Sequence, residues 1–208
     1  MSPRNNVLKS FRQRGSQNVF YREFAITYAH LPAGYIVGKL LSDKFERRIK
    51  SYPLYWFWGL LGSVAPDFDY LYLELFDTRT WDHHYYLTHF PMFWAILLFG
   101  SLLWLYSKPK SQSPVFAFMF TLNGFIHMIL DSVPNPMYWL APFSYRGFDV
   151  NLLLKKIAPW IVYDYPFWSY SIEALIIVLA LNLFLKRGIA DTETAKNLRA
   201  RNSGSSQP

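Results

Sequence analysis

The sequence predicts an all-α membrane protein, a bundle of four or five transmembrane helices. Two observations carry this prediction. Hydrophobic residues make up 52% of the 208 positions and aromatic residues 20%, a balance that favours lipid contact with aromatic belts at the interfaces. The apolar residues also gather into blocks of about 20 residues, the length of helix that crosses a hydrocarbon core. A chain of this length needs no second domain.

Four apolar blocks are long enough to span, and they cover residues 54–75, 88–106, 114–131 and 167–185. A fifth block, 24–41, is shorter and contains Pro32, Gly34 and Gly38, so it spans, re-enters or lies in the interface. The chain therefore divides into a basic arm at 1–23, a helical domain at 24–187 and a polar tail at 188–208, which we expect to be disordered.

Basic residues flank these blocks, in the clusters Lys44, Arg47, Arg48 and Lys50, then Lys108 and Lys110, then Lys186 and Arg187. The positive-inside tendency places all three clusters on the cytoplasmic side. The loops at 77–87 and 132–166 then face outward. The net charge of +7 is distributed around the blocks and forms no single stripe, so we expect no nucleic-acid partner.

Histidines and aspartates occur at the predicted outward ends of the blocks, where ionisable side chains are costly and indicate function. In chain order they are His30, Asp67 and Asp69 around a proline break, His83, His84 and His89, and the series Asn123, His127 and Asp131 at a spacing of four. Each group alone is compatible with helix capping or an interfacial position. Their joint placement predicts a metal site made of His30, Asp67, Asp69, His84, His89, His127 and Asp131, with His83 and Glu173 as further candidates.

The chemistry of such a site follows from its ligands. The chain has no cysteine, so any metal is held by imidazole, carboxylate or water, a set that suits zinc or manganese. Seven candidate ligands exceed the needs of one four-coordinate ion, so we expect one or two divalent ions. A bound ion lowers the pKa of water and polarises an ester. We expect catalytic roles for Asp67, Asp69, His127 and Asp131.

The ordered set of motifs resembles the YdjM-type family of membrane-bound hydrolases that are predicted to be metal-dependent. The resemblance covers about residues 27–180 and rests on His30 with Gly34, Gly62 with Pro66 to Asp69, His84 to His89, Gly124 with His127 and Asp131, and Pro142-Phe143. It implies a multi-pass protein of the bacterial inner membrane with a His/Asp metal centre. The chain departs from the family pattern at Tyr85, Tyr86 and Phe90, where Arg, Gly and Ser are common.

The function predicted is therefore metal-dependent hydrolysis of an ester or phosphoester near the membrane interface, with membrane lipids as partners and a lipid-linked substrate. A metal-ion or proton transporter is one alternative. It would need ionisable groups at several depths, and the block at 88–106 has no charge after His89. A non-catalytic membrane protein with a structural His/Asp cluster is the other alternative, and it predicts a protein that holds no metal.

Overall fold

The computed structural model describes residues 28–76, 83–148, 150–158 and 170–186, and in these ranges the regular structure is helical, without a β-strand. The arm at 1–23 and the tail at 188–208 lie outside the described residues. The helices are α1 (28–45), α2 (Tyr52–Val64), α3 (Phe68–Phe76), α4 (Pro91–Ser107), α5 (Ser113–Asp131), α6 (Val150–Ile157) and α7 (170–186). Two 3-10 turns, His83–Tyr85 and Leu87–His89, precede α4.

The apolar block at 54–75 is interrupted at the proline break that the sequence indicated, so it forms two helices. It breaks after Val64, and α3 begins only at Phe68. Pro66 explains the break, because proline has no N–H to donate and its ring clashes with the carbonyl one turn earlier. Backbone hydrogen bonds between residues three apart form the turn instead. They run from Asp67 N to Val64 O (3.1 Å) and from Phe68 N to Ala65 O (3.3 Å). The chain thus changes direction where its first two aspartates occur.

Helix α5 packs against both α2 and α4, and glycines set the closeness of these contacts. A Cβ atom on Gly62 would lie 2.1 Å from the carbonyl oxygen of Phe120, and one on Gly124 would lie 2.1 Å from the ring of Trp94. Small residues are the usual means by which membrane helices approach each other. Further along α2, the buried Tyr55 donates a hydrogen bond of 2.8 Å to the carbonyl oxygen of Gly38 on α1. These contacts fix α1, α2, α4 and α5 against one another.

At one end of this bundle the α1–α2 and α4–α5 connections lie together. The guanidinium of Arg48 donates to the carbonyl oxygens of Lys108 (2.9 Å) and Ser111 (3.0 Å). The backbone N–H of Lys50 donates to the side-chain oxygen of Gln112 (3.2 Å). Two of the basic clusters that the sequence assigns to one side of a membrane are therefore neighbours in space.

Within the described ranges, α5 is the one helix that is long and apolar enough to cross a membrane, judged by length and composition. Helix α4 is apolar but shorter, with 17 residues. The predicted helical fold is confirmed for the described part of the chain.

Replacing Arg48 by glutamine should lower the stability of the bundle, because Arg48 satisfies backbone carbonyls near the end of α4 that have no partner inside the helix. Charged hydrogen bonds of this kind contribute about 1.5–3 kcal/mol. We expect a lower midpoint of thermal unfolding for detergent-purified Arg48→Gln. The neighbouring Arg47 is exposed, so Arg47→Gln is the matched control and should unfold like the wild type. Equal midpoints for the two variants would contradict a structural role for Arg48.

Candidate metal centre

At the end of the bundle opposite Arg48, side chains from four parts of the chain meet in one cluster. They are His30 from α1, Asp67 from the α2–α3 turn, His84 and His89 from the 3-10 turns, and His127 and Asp131 from α5. The histidines and Asp131 are buried. The side chain of Asp67 is 27% exposed, whereas that of Asp131 is 9% exposed. The cluster is thus closed on most sides and open at Asp67.

Asp131 lies at the centre of this cluster and uses both carboxylate oxygens. Its Oδ1 is 3.2 Å from Nε2 of His30. Its Oδ2 is 2.9 Å from Nε2 of His127 and 3.6 Å from Nε2 of His89. The spacing of four that predicted a shared helical face for His127 and Asp131 is borne out by this contact.

Asp67 reaches the same point from the turn after α2. Its Oδ1 lies 3.4 Å from Nε2 of His127 and 3.7 Å from Nε2 of His89. Nε2 of His127 and Oδ2 of Asp131 are buried and make no well-aligned hydrogen bond, although they lie close together. Buried polar atoms normally have hydrogen-bond partners. Nitrogen and oxygen atoms that converge without such bonds fit the requirements of a cation.

Contacts on the far sides of two imidazoles orient them toward this point. Nδ1 of His127 lies 2.8 Å from the carbonyl oxygen of Ser63 and donates to it, so in the neutral ring Nε2 is the atom that can bind a cation. Nδ1 of His89 lies 2.5 Å from Oδ2 of Asp69. A second ring nitrogen held in this way is the usual arrangement for metal-binding histidines.

Asp69 therefore lies behind His89, on the side of the ring away from Asp67 and Asp131. The hydroxyl of Thr88 also donates to Asp69, and the indole N–H of Trp94 donates to the carbonyl oxygen of Thr88 (2.6 Å). The roles of Thr88, Trp94 and Ser63 were not predicted from the sequence. Of these three, only Thr88 could have been suspected from the sequence, because it is adjacent to His89. Ser63 acts through its backbone carbonyl, and Trp94 acts through tertiary packing.

Two groups in the cluster could each hold a metal ion. One is His30, Asp67 and His127, and the other is His84, His89 and Asp131; within each group the ligand atoms all lie within 4.8 Å of one another. The ring of His30 stacks on that of His127, with centroids 3.6 Å apart, and His84 meets His89 edge to face at 5.1 Å. With neutral imidazoles the cluster carries the negative charge of its carboxylates, which a divalent cation balances.

Of the two further candidates, Glu173 does not join these groups and His83 is not tested. Glu173 is buried in α7, where its Oε1 has no hydrogen-bond partner, but it belongs to neither group. The side chain of His83 lies outside the described residues. Asn123, one turn before His127, instead donates its amide to the carbonyl oxygen of Gly59 (3.0 Å) and so holds α5 against α2.

The fold and this cluster define a class: an all-helical protein with a buried His/Asp centre that could hold a metal ion. The family model described as YdjM inner membrane protein matches residues 26–191. The chain therefore belongs to the YdjM family of inner membrane proteins. No curated protein and no solved structure matches it.

Proposed function

We propose that the protein is a membrane-bound, metal-dependent hydrolase that acts on an ester or phosphoester near the membrane interface. The observation that carries this proposal is the convergence of imidazole and carboxylate atoms from α1, the α2–α3 turn, the 3-10 turns and α5, with one carboxylate reaching the surface. Buried ionisable groups with this composition at one end of a helical bundle are more typical of a metal centre than of a helix cap.

The two ligand groups define where one or two divalent ions, zinc or manganese, would be held. A bound ion would supply Lewis-acid activation of water and of the scissile ester. Asp131 contacts residues of both groups, so it holds the centre together. Asp69 positions His89 through the hydrogen bond to Nδ1.

Asp67 is the group best placed to handle protons. Its side chain is 27% exposed, more than those of its neighbours, so incoming water and a substrate could reach its carboxylate. A carboxylate in this position accepts the proton of the attacking water and returns it to the leaving group. His127 and His89, which lie on the inner side of Asp67, are oriented as ligands by Ser63 and Asp69.

The same proposal includes a multi-pass arrangement with four or five spans, in which the apolar blocks at 54–75, 88–106, 114–131 and 167–185, with or without the block at 24–41, cross a bacterial inner membrane. The contact between the two basic connections at Arg48 supports it, because such connections tend to remain in the cytoplasm. The His/Asp cluster would then face the opposite, periplasmic side. The length and apolarity of α5 provide additional support.

The test is metal-dependent hydrolysis by the purified protein. Protein purified in mild detergent would be stripped with a chelator, reloaded with zinc or manganese, and assayed with soluble phosphoesters and carboxylic esters. We expect turnover only after reloading. Asp67→Asn should lower turnover by at least about 100-fold, the usual contribution of a positioned acid or base. It should leave the fold intact, because the side chain is at the surface of the cluster.

The matched control is Asp43→Asn, the same chemical change at an exposed position near the Arg48 end. It should retain wild-type turnover. Absence of hydrolysis by the reloaded wild type across the ester panel would contradict the proposal. Metal uptake into vesicles by such an inactive protein would point to transport instead.

A further inference from the structure

The opening of the His/Asp cluster lies at the start of an unusual helix. Asp67 is the exposed member of the cluster, and the next residue, Phe68, begins α3 with a side chain that is 56% exposed. On the other side of this turn Asp69 is buried against Thr88 and His89. At the start of α3, Asp69 therefore points into the protein, and Phe68 points outward beside the opening at Asp67.

Further exposed apolar side chains follow on α3. Phe68, Tyr72, Leu75 and Phe76 are each more than half exposed, and their spacing of four, seven and eight residues places them on one helical face. We name these four residues the outer stripe. Tyr72 contacts Phe76 within the stripe, with ring centroids 5.6 Å apart, and also contacts Tyr86 (5.9 Å). An amphipathic helix of a soluble protein would turn such a stripe toward the core.

Exposed apolar side chains are not confined to the outer stripe. The preceding helix α2 exposes Leu54, Phe57 and Trp58. In a member of an inner membrane protein family, exposed apolar surface of this kind faces lipid. A helix of nine residues is about 14 Å long, close to the roughly 15 Å hydrocarbon depth of one leaflet. Hydrocarbon chains are therefore the occupant that fits the stripe in both chemistry and length.

We propose that the substrate is a membrane lipid whose phosphoester reaches the centre past Asp67 while its hydrocarbon chain lies along the outer stripe. This inference rests on the proposed function and names its substrate class. Metal ions bound in the centre would attract an anionic phosphoester. The outer stripe begins at Phe68, one residue after Asp67. A water-soluble ester would use the centre without contacting the stripe.

Binding can be tested without relying on turnover. Protein in vesicles would be exposed to a phospholipid with a photoreactive acyl chain, and labelled peptides would be identified by mass spectrometry. Peptide 68–76 should be labelled, and excess unlabelled phospholipid should reduce this labelling by at least about fivefold more than excess diacylglycerol, which lacks the phosphoester. The peptide containing Ile96 and Phe99, which are exposed on α4, is the control and should respond equally to both competitors.

Turnover supplies the second measurement. The double variant Leu75→Gln/Phe76→Gln removes apolar contact at the far end of the stripe and keeps residues adjacent to the centre unchanged. Since each buried CH₂ contributes about 0.8 kcal/mol, we expect at least a tenfold lower kcat/KM for a long-chain phospholipid. The kcat/KM for a soluble phosphodiester should change less than twofold. Phe99→Gln, the control on α4, should leave both values unchanged.

The outcomes separate this inference from the proposed function. Equal competition by phospholipid and diacylglycerol would overturn the lipid assignment, because the stripe would then contact bulk bilayer only. If soluble phosphoesters are still cleaved in that case, the hydrolase proposal stands alone. Selective phospholipid labelling by a protein that cleaves no ester would leave a lipid-binding centre and overturn the hydrolase.

Discussion

Asp131→Asn is expected to remove nearly all bound metal from the purified protein. Asp131 contacts His30 through one oxygen, and His127 and His89 through the other, so it joins the two groups that could hold an ion. Asparagine keeps the size of the side chain but loses the negative charge and one of the two acceptor oxygens. Removing a residue that only hydrogen-bonds to a metal ligand typically lowers metal affinity 10–100-fold. Removing a ligand itself should lower the affinity further.

The measurement is metal content by elemental mass spectrometry after chelator-free purification. Wild-type protein should carry about one or two equivalents of a transition metal, as expected for one or two ligand sets. The Asp131→Asn protein should carry less than a tenth of the wild-type amount. Asp43→Asn, at the exposed end of α1, should match the wild type. A full metal complement in Asp131→Asn would place the ion elsewhere, and absence of metal from the wild type would favour a structural cluster.

Gly62→Ala should produce a large loss of stability. The new Cβ would lie 2.1 Å from the carbonyl oxygen of Phe120 and 2.7 Å from its Cα, so α2 and α5 would have to separate. Overpacking typically costs 1–3 kcal/mol and more where backbone must move, as here. The separation would also displace Ser63 and Asp67 from His127, so metal should be lost together with stability.

Thermal unfolding and metal content of the same preparations test this expectation. Gly100→Ala is the matched control, because a Cβ there meets nothing within 4 Å. Alanine is favoured over glycine in a helix by about 1 kcal/mol, so this variant should unfold at the wild-type temperature or above it. A Gly62→Ala protein as stable as Gly100→Ala would contradict the close contact between α2 and α5.

The contact between His127 and Asp131, which their spacing predicted, depends on local geometry. His127 and Asp131 share a face because a helix repeats every 3.6 residues, and no other element is needed to bring them together. The helix break at Pro66 is also a local effect, because proline lacks the N–H that a continuous helix needs, and the sequence indicated it. The residues at which α2 ends and α3 begins could not be predicted from the continuous hydropathy of the block.

The different positions of Asp67 and Asp69 could not be predicted from local geometry. Two aspartates separated by one residue diverge, and which one faces the ligands depends on where the 3-10 turn Leu87–His89 packs. That packing is set by the hydrogen bond from Trp94 to Thr88 and by the contact between Trp94 and Gly124. The outward direction of the outer stripe also depends on tertiary packing. The spacing of its residues shows that they share a helical face but not which way that face points.

The convergence on Asp131 has a consequence for how the protein is assembled. His30 and Asp131 are separated by most of the helical domain, and the atoms between them come from segments that would enter a membrane at different times. An ion held there would crosslink the first helix to the fifth, in the manner of a disulfide in a secreted protein, and its binding energy would favour only the correctly docked arrangement. Metal binding would then stabilise only correctly docked helices, because a misassembled chain would have neither a complete ligand set nor an active centre.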